Sequence, residues 1–417
     1  MKRWVAVAGL CLAVMGGNAR AQMMMGGTAK TLEENVMRHT GSGTSLEPGA
    51  TVPPMLMKMH GDWMLMLHGE VGIAEQQQTG KRGADKLFSV NWLMPMAQRG
   101  TPLGNVTLRA MLSLEPATIS GRYYPELFQE GETAFGKAIV DGQHPHDFFM
   151  ELSAMDDFRL GKHAVATLYA APVGDPAMGP EAFPHRASAE DNPLAPLAHH
   201  LQDSTHIAYD VATGGVAVGP LKLEASGFHG REPGENRWTI YGGALDSWSA
   251  RLWFAPNKNW IAQYSVGHLT SPEALRPGED VLRQTASIAG HWQWDAATVD
   301  ATAVWGRNHT IGTAVNANGY LLEGEAKIHE RHFVWMRMEN DNRTTDLLGA
   351  DAPAEETVIG RVAAFTGGYA HRIWANGWTS WELGAQVTGY STPSALTGLY
   401  GSNPAGVAIV LHGRLGH

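Results

Sequence analysis

The side chains best suited to chemistry in this chain are imidazoles and carboxylates gathered in two stretches. The first holds His144, His146 and Asp147 and leads into Glu151. The second holds His185, His199, His200 and Asp203 and leads into His206 and Asp210. Imidazole nitrogens and carboxylate oxygens close together ligate zinc, copper or nickel. The His-x-His spacing at 144–146 is a weak signal alone, and His199-His200 followed by Asp203 and His206 is better. His144, His146, Asp147, His199, His200, Asp203 and His206 are therefore the candidate metal ligands. The competing reading is a hydrogen-bonded network that holds long loops folded. No other cofactor is implied.

Two further groups could carry chemistry. Met23, Met24 and Met25 precede Met55, Met57, Met59 and His60, with Met64 and Met66 just beyond. Thioethers are soft ligands that favour copper(I), and this lead is slightly similar to the Met-rich leads of copper-resistance outer-membrane proteins. The competing reading is a low-complexity lead followed by ordinary strand residues. Ser204 with His206, and Ser188 with His185, could serve a lipid hydrolase, yet no Gly-x-Ser-x-Gly elbow surrounds either serine. Phosphate-loop and dinucleotide signatures are absent.

The elements that must position these residues alternate with period two. In Thr379–Gly389, Trp381, Leu383, Ala385 and Val387 share one face, and Ser380, Glu382, Gln386 and Thr388 share the other. Successive strand residues point to opposite faces, so this is one apolar and one polar face. Segments of this kind are predicted at 63–76, 86–97, 104–114, 147–157, 162–171, 205–216, 221–230, 245–255, 259–270, 281–294, 297–308, 317–328, 331–341, 357–371, 378–391 and 404–416. Short links alternate with long ones along the chain, the longest being 115–146 and 172–204. That is the pattern of a closed antiparallel transmembrane β-barrel with short periplasmic turns and long extracellular loops. The fold class is therefore all-β, with sixteen strands expected and fourteen to eighteen as the range. Trp260, Trp292, Trp294, Trp335, Trp374, Trp378 and Trp381 fall near short links. Trp238, Tyr241, Trp248, Trp305 and Tyr320 fall near long loops. Together they suggest two aromatic belts. On segment 205–216 the alternation places His206 and Asp210 toward the lumen. The chain ends in His417 where barrels of this class usually end in an aromatic residue.

Composition agrees. Lys2 and Arg3, the apolar run Trp4–Met15 and Ala19-Arg20-Ala21 read as a secretory signal over residues 1–21. Residues 22–61 read as a mostly irregular Met/Gly-rich periplasmic lead, and residues 62–417 as the barrel. Cys11, the only cysteine, would leave with the signal. Net charge is −10, and loss of Lys2, Arg3 and Arg20 leaves 28 basic against 41 acidic residues, about −13. That balance excludes a nucleic-acid partner. Charged residues are 17% of the chain, below the roughly 25% of soluble proteins. No later segment has 18 consecutive apolar residues, and a membrane protein without spanning helices must be a closed barrel.

The stretches Asp141–Phe148, His199–His206, Phe228–Trp238, Asp246–Arg251 and Gln263–Gly267 resemble an uncharacterised family of exported bacterial proteins. The resemblance implies a porin-like barrel in the cell outer membrane and brings no activity with it. The expected function is a porin-like channel for small hydrophilic solutes or ions, in contact with outer-membrane lipid. The alternatives are copper or zinc binding or export, and lipid hydrolysis.

Overall fold

The computed structural model describes residues 27–353 and 355–416. The secretory signal and Met23–Met25 lie outside the described residues. Sixteen strands form the barrel. They are β1 (Trp63–Gln78), β2 (Lys86–Gly100), β3 (Gly104–Leu112), β4 (Phe149–Arg159), β5 (Ala164–Gly174), β6 (Ala208–Val218), β7 (Leu221–His229) and β8 (Ser247–Asn257). The others are β9 (Trp260–Leu269), β10 (Val281–Gln293), β11 (Ala297–Thr310), β12 (Asn316–Ile328), β13 (His332–Thr344), β14 (Val358–Ala375), β15 (Thr379–Ser391) and β16 (Ala405–Leu415). Each predicted segment became one of them. Each strand pairs antiparallel with its sequence neighbours, and β1 closes on β16 from Glu70 opposite Arg414 to Gln78 opposite Gly406. No described helix is long and apolar enough to cross a membrane.

The faces are inverted relative to a soluble protein. On β7, Leu221 and Leu223 are 46% and 63% exposed on the outside, whereas Lys222 and Glu224 between them are 1% and 2% exposed on the inside. Leucines outside and charges inside suit a wall whose outer solvent is lipid. Trp260, Trp294, Trp374 and Trp378 are exposed toward the short-link end, and Trp238, Trp248 and Tyr320 toward the long-loop end. Trp335 is a correction. It faces inward, its indole N–H donates to Gln386 Oε1 at 2.9 Å, and its ring lies across Gly368, where a Cβ would come within 2.0 Å.

The lead is the larger correction. Residues 29–51 are not a periplasmic tail but fold back into the lumen. Residues 56–60 are not irregular: the short strand Leu56–His60 pairs with β1 through Leu56 opposite Leu67 and His60 opposite Trp63. The helix Leu32–Val36, capped by Thr31, packs with Leu46 on the inward side chains Val165, Ala217, Trp253 and Ile261. Beyond the helix the segment is held by charge. Arg109 of β3 donates to the carbonyls of His39, Gly41 and Gly43 and pairs with Glu151 at 2.8 Å. His39 Nε2 meets Asp157 at 2.7 Å, Lys222 donates to the Thr44 carbonyl, and Thr51 bonds Asp300.

Asp210 is a second correction. A bulge between Tyr209 and Ala212 breaks the register, and Asp210 sits there at φ 51°. Tyr209, Val211 and Thr213 are buried inward instead. Asp210 turns to accept the Gly243 N–H of the loop 230–246 at 2.9 Å. Inward parity runs through Tyr209, Val211 and Thr213 on both sides of the bulge, and His206 lies in a helical turn before β6 begins, so its parity does not carry over to Asp210.

If Arg109 locks the lead in place, Arg109→Ala should destabilise the barrel by about 3–5 kcal/mol, because Glu151 and three carbonyls lose their buried partner. Thermal unfolding and limited proteolysis of residues 27–54 in the folded protein read this out. An unchanged melting point with an uncleaved lead would contradict it.

Candidate functional site

The loop 175–207 enters the lumen, as its length suggested, and lies against the opposite wall. Arg186 joins Asp203 of its own loop to Glu323 of β12. The Asp191 N–H donates to Glu325, and the Leu197 N–H to Glu339. Arg337 and Arg343 donate to the carbonyls of Leu194 and Leu197. The loop also meets the N-terminal segment, since Asp175 accepts the Ser42 hydroxyl and Glu181 accepts the Ser42 N–H. Arg251 of β8 ties the two together, donating to Ser45 Oγ, Thr44 Oγ1 and the Gly179 carbonyl while pairing with Glu224. A cavity of about 30 Å³ beside Glu70, Trp92, Glu115, His146 and His412 has room for about two waters.

The candidate imidazoles converge near the long-loop end. Ring centroids run His144 to His200 at 5.8 Å, His200 to His199 at 5.2 Å, His199 to His206 at 5.3 Å and His206 to His146 at 5.4 Å. Three of their Nδ1 atoms are already held. His146 Nδ1 meets Glu115 Oε2 at 3.0 Å, His199 Nδ1 meets Asp203 Oδ1 at 2.7 Å, and His206 Nδ1 meets the Asp203 carbonyl at 2.8 Å. The Nε2 atoms of His146 and His206 are buried without a hydrogen-bond partner. Burial holds His144, His199 and His206 below the ordinary histidine pKa, and the neighbouring imidazoles add to this for His206.

The two aspartates among the candidates are committed elsewhere. Asp147 accepts the Tyr209 hydroxyl at 2.9 Å and faces Arg237 at 3.6 Å. Burial pushes its carboxyl up against the pull of Arg237. Asp203 serves Arg186, His199 and the Phe183 N–H, and although burial would raise it, Arg186 and His199 hold it down. Among the described residues, the group whose ligand atoms all lie within 4.8 Å of one another is Glu132, His144 and His200. Glu132 carries no spacing signal in the sequence and was missed. The partners Arg186 and Arg237 were missed for the same reason.

The serines are not placed as nucleophiles. Ser204 Oγ accepts from Arg283 and faces Glu232, and Ser188 Oγ bonds Thr302 and Glu323. Both are buried among inward-facing charges, away from the lipid face. The methionines Met55, Met57, Met64 and Met66 gather with Met94, Met96, Met111 and Met150 in an apolar cluster around Trp92, and Met59 is exposed. His185 Nε2 reaches Met111 Sδ at 2.9 Å. Thioethers fill irregular apolar gaps of this kind.

No family model matches the chain, and no curated protein matches its sequence. Solved structures do match in shape. OprB of Pseudomonas putida at high pH gives a TM-score of 0.50 at 9% identity, over 85% of this chain and 94% of that one. OmpF of Salmonella typhi in complex with daunomycin gives 0.49 at 8% identity, over 86% and 100%. The outer-membrane channel DcaP of Acinetobacter baumannii gives 0.46 at 11% identity, over 85% and 99%. The fold is that of an outer-membrane β-barrel. With its apolar outer wall, this places the chain in the cell outer membrane.

Burial predicts that His199 and His206 stay neutral well below pH 6.5. Imidazole nitrogen shifts in histidine-labelled protein should show neither residue titrating with a midpoint near 6.5, the usual histidine value. A normal midpoint for both would show that the loop does not occupy the lumen.

Proposed function

We propose that the protein is a porin-like channel for small hydrophilic solutes, closed at rest by its own N-terminal segment and by loop 175–207. The observation that carries this reading is the chemistry of the inner wall. Lys222, Glu224, Arg251, Arg283, Asp300, Glu323, Glu325, Arg337, Glu382 and Arg414 all point inward and are buried only because the chain itself covers them. Such a wall would be wetted at once if the cover moved, and sixteen strands leave room for an aqueous passage. An apolar interior, by contrast, would serve only as a packed core. The buried strand charges among the described residues carry a small acidic surplus: Glu151, Asp157, Glu224, Asp300, Glu323, Glu325, Glu339, Asp341 and Glu382 stand against Arg109, Lys222, Arg251, Arg283, Arg337, Arg343 and Arg414. That surplus favours cations and neutral solutes over anions.

Arg251 is the point at which both closing segments are held. Losing one hydrogen bond to a charged group, worth about 1.5–3 kcal/mol, shifts a closed–open balance by more than about tenfold. In planar bilayers the full chain should conduct rarely. Arg251→Ala should raise the open fraction by more than about tenfold, with reversal potentials showing cation preference. Silent bilayers with a folded Arg251→Ala barrel would overturn the reading, and anion selectivity would overturn its electrostatic part.

A further inference from the structure

We infer that the outer mouth carries a divalent transition-metal site built from Glu132, His144 and His200. This goes beyond the channel reading and does not depend on it. The three residues come from two different loops, Glu132 and His144 from 113–148 and His200 from 175–207. A bound ion would therefore clamp the loops that narrow the mouth.

The case rests on two acceptors facing each other. His144 Nδ1 lies 3.0 Å from the Pro145 carbonyl, which can only accept, so Nδ1 carries the proton. The other nitrogen of a neutral imidazole then presents a bare lone pair. His144 Nε2 lies 3.0 Å from Glu132 Oε1, yet it is buried with no hydrogen-bond partner. A lone pair and a carboxylate oxygen at that distance repel each other unless a cation sits between or beside them. Glu132 is 9% exposed and His144 8%, so bulk water does not relieve the contact. His200 adds a third donor atom within 4.8 Å.

The surroundings match a metal centre. The second oxygen of Glu132 is fixed by Arg237 at 2.8 Å, the kind of outer hydrogen bond that orients a ligating carboxylate. His200 Nδ1 lies 3.8 Å from Glu232 of loop 230–246, a carboxylate placed to orient that ring. Glu132, Glu232 and nearby Asp147 outweigh the charge of Arg237. Two imidazoles with one carboxylate suit zinc, with copper(II) and nickel(II) as competitors. Donor atoms on a tetrahedral ion with bonds of 2.0–2.1 Å stand roughly 3.4 Å apart. The trio, whose ligand atoms lie within 4.8 Å of one another, therefore needs side-chain adjustments of about 1–1.5 Å to close on one ion. The competing occupant is a proton shared by Glu132 and His144.

The test is calorimetric titration of the folded, full-length chain in detergent with zinc, then copper(II) and nickel(II). One saturable zinc ion per chain is expected. His144→Ala with His200→Ala should weaken it by more than about tenfold, and Glu132→Gln should weaken it on its own. His163→Ala, in a short link at the opposite end, should leave it unchanged. Heat-shifted electrophoretic mobility confirms that each barrel is folded, and Glu132→Gln carries the test if the double histidine variant does not fold. No saturable zinc binding by the folded wild type would overturn the site and leave the shared proton. So would equal affinity in the variants. Because binding is read without ion flux, failure of the channel reading would not register here.

Discussion

A buried charge on the inner wall of a closed barrel must find a partner from inside the barrel. The outer face belongs to lipid, and each wall position has only its strand neighbours beside it. Arg109, Arg251, Arg337 and Arg414 are all 4% exposed or less. Desolvating an ion costs several kcal/mol, and removing one partner of a buried pair strands the other. Adjacent strands supply some of the compensation, as in Arg251 with Glu224 and Arg337 with Glu323. The rest comes from carbonyls, hydroxyls and carboxylates of the two internal segments, as in Arg109 with Gly43, Arg251 with Ser45 and Arg414 with Asp191. The wall and its contents therefore specify each other. The Gly- and Ser-rich stretch 39–49 offers carbonyls and hydroxyls at close approach, and at Gly43, with φ 51°, a Cβ would come within 2.4 Å of the Asp175 carbonyl oxygen.

The same constraint shapes the mouth. Once loop 175–207 is drawn inward by Arg186, Arg337 and Arg343, its helical turn His199–Gln202 stands over β11 and β12. Gly306 and Gly319 accept it there, since a Cβ at either would clash with Leu201 or Ala198. His199 and His200 are thereby brought against His144 and His206 without any apolar core of their own. The imidazole run is a consequence of how the loop is anchored. Its chemistry depends on the anchoring charges staying paired.

The barrel was legible in the sequence because its signal is local. Alternation in Thr379–Gly389 and the contrast between short and long links need no knowledge of distant residues. Inward placement of Glu382, Glu224 and Asp300 followed from parity alone. Convergence of the two histidine stretches followed from topology. What failed was non-local or broke the period. Residues 22–61 carry no alternation that says which side of the wall they occupy, and the donors left over on Arg109 and Arg251 after their strand pairs are made decide it for residues 39–45. Parity counted from His206 misplaces Asp210, because His206 lies in a helical turn before β6 starts. Trp335 is the exception: it obeys the period, sharing the inward face of Phe333 and Arg337, and only its position near a short link suggested a belt. Glu132 became a candidate only when the fold brought it to His144, because a lone glutamate in a long loop has no spacing to betray it.

All of this requires the N-terminal segment to sit inside the barrel, with Thr51 against β11. Cys11 is the only cysteine and lies in the predicted signal. Thr51→Cys with Asp300→Cys would therefore place two unique thiols where Thr51 Oγ1 and Asp300 Oδ1 now meet at 3.3 Å. Oxidation, or treatment with a short bifunctional thiol reagent, should join them in the folded protein, and peptide mapping should recover the 51–300 link. Free alkylation of both thiols in the folded barrel, with no link recovered, would place the segment outside the lumen and contradict the account.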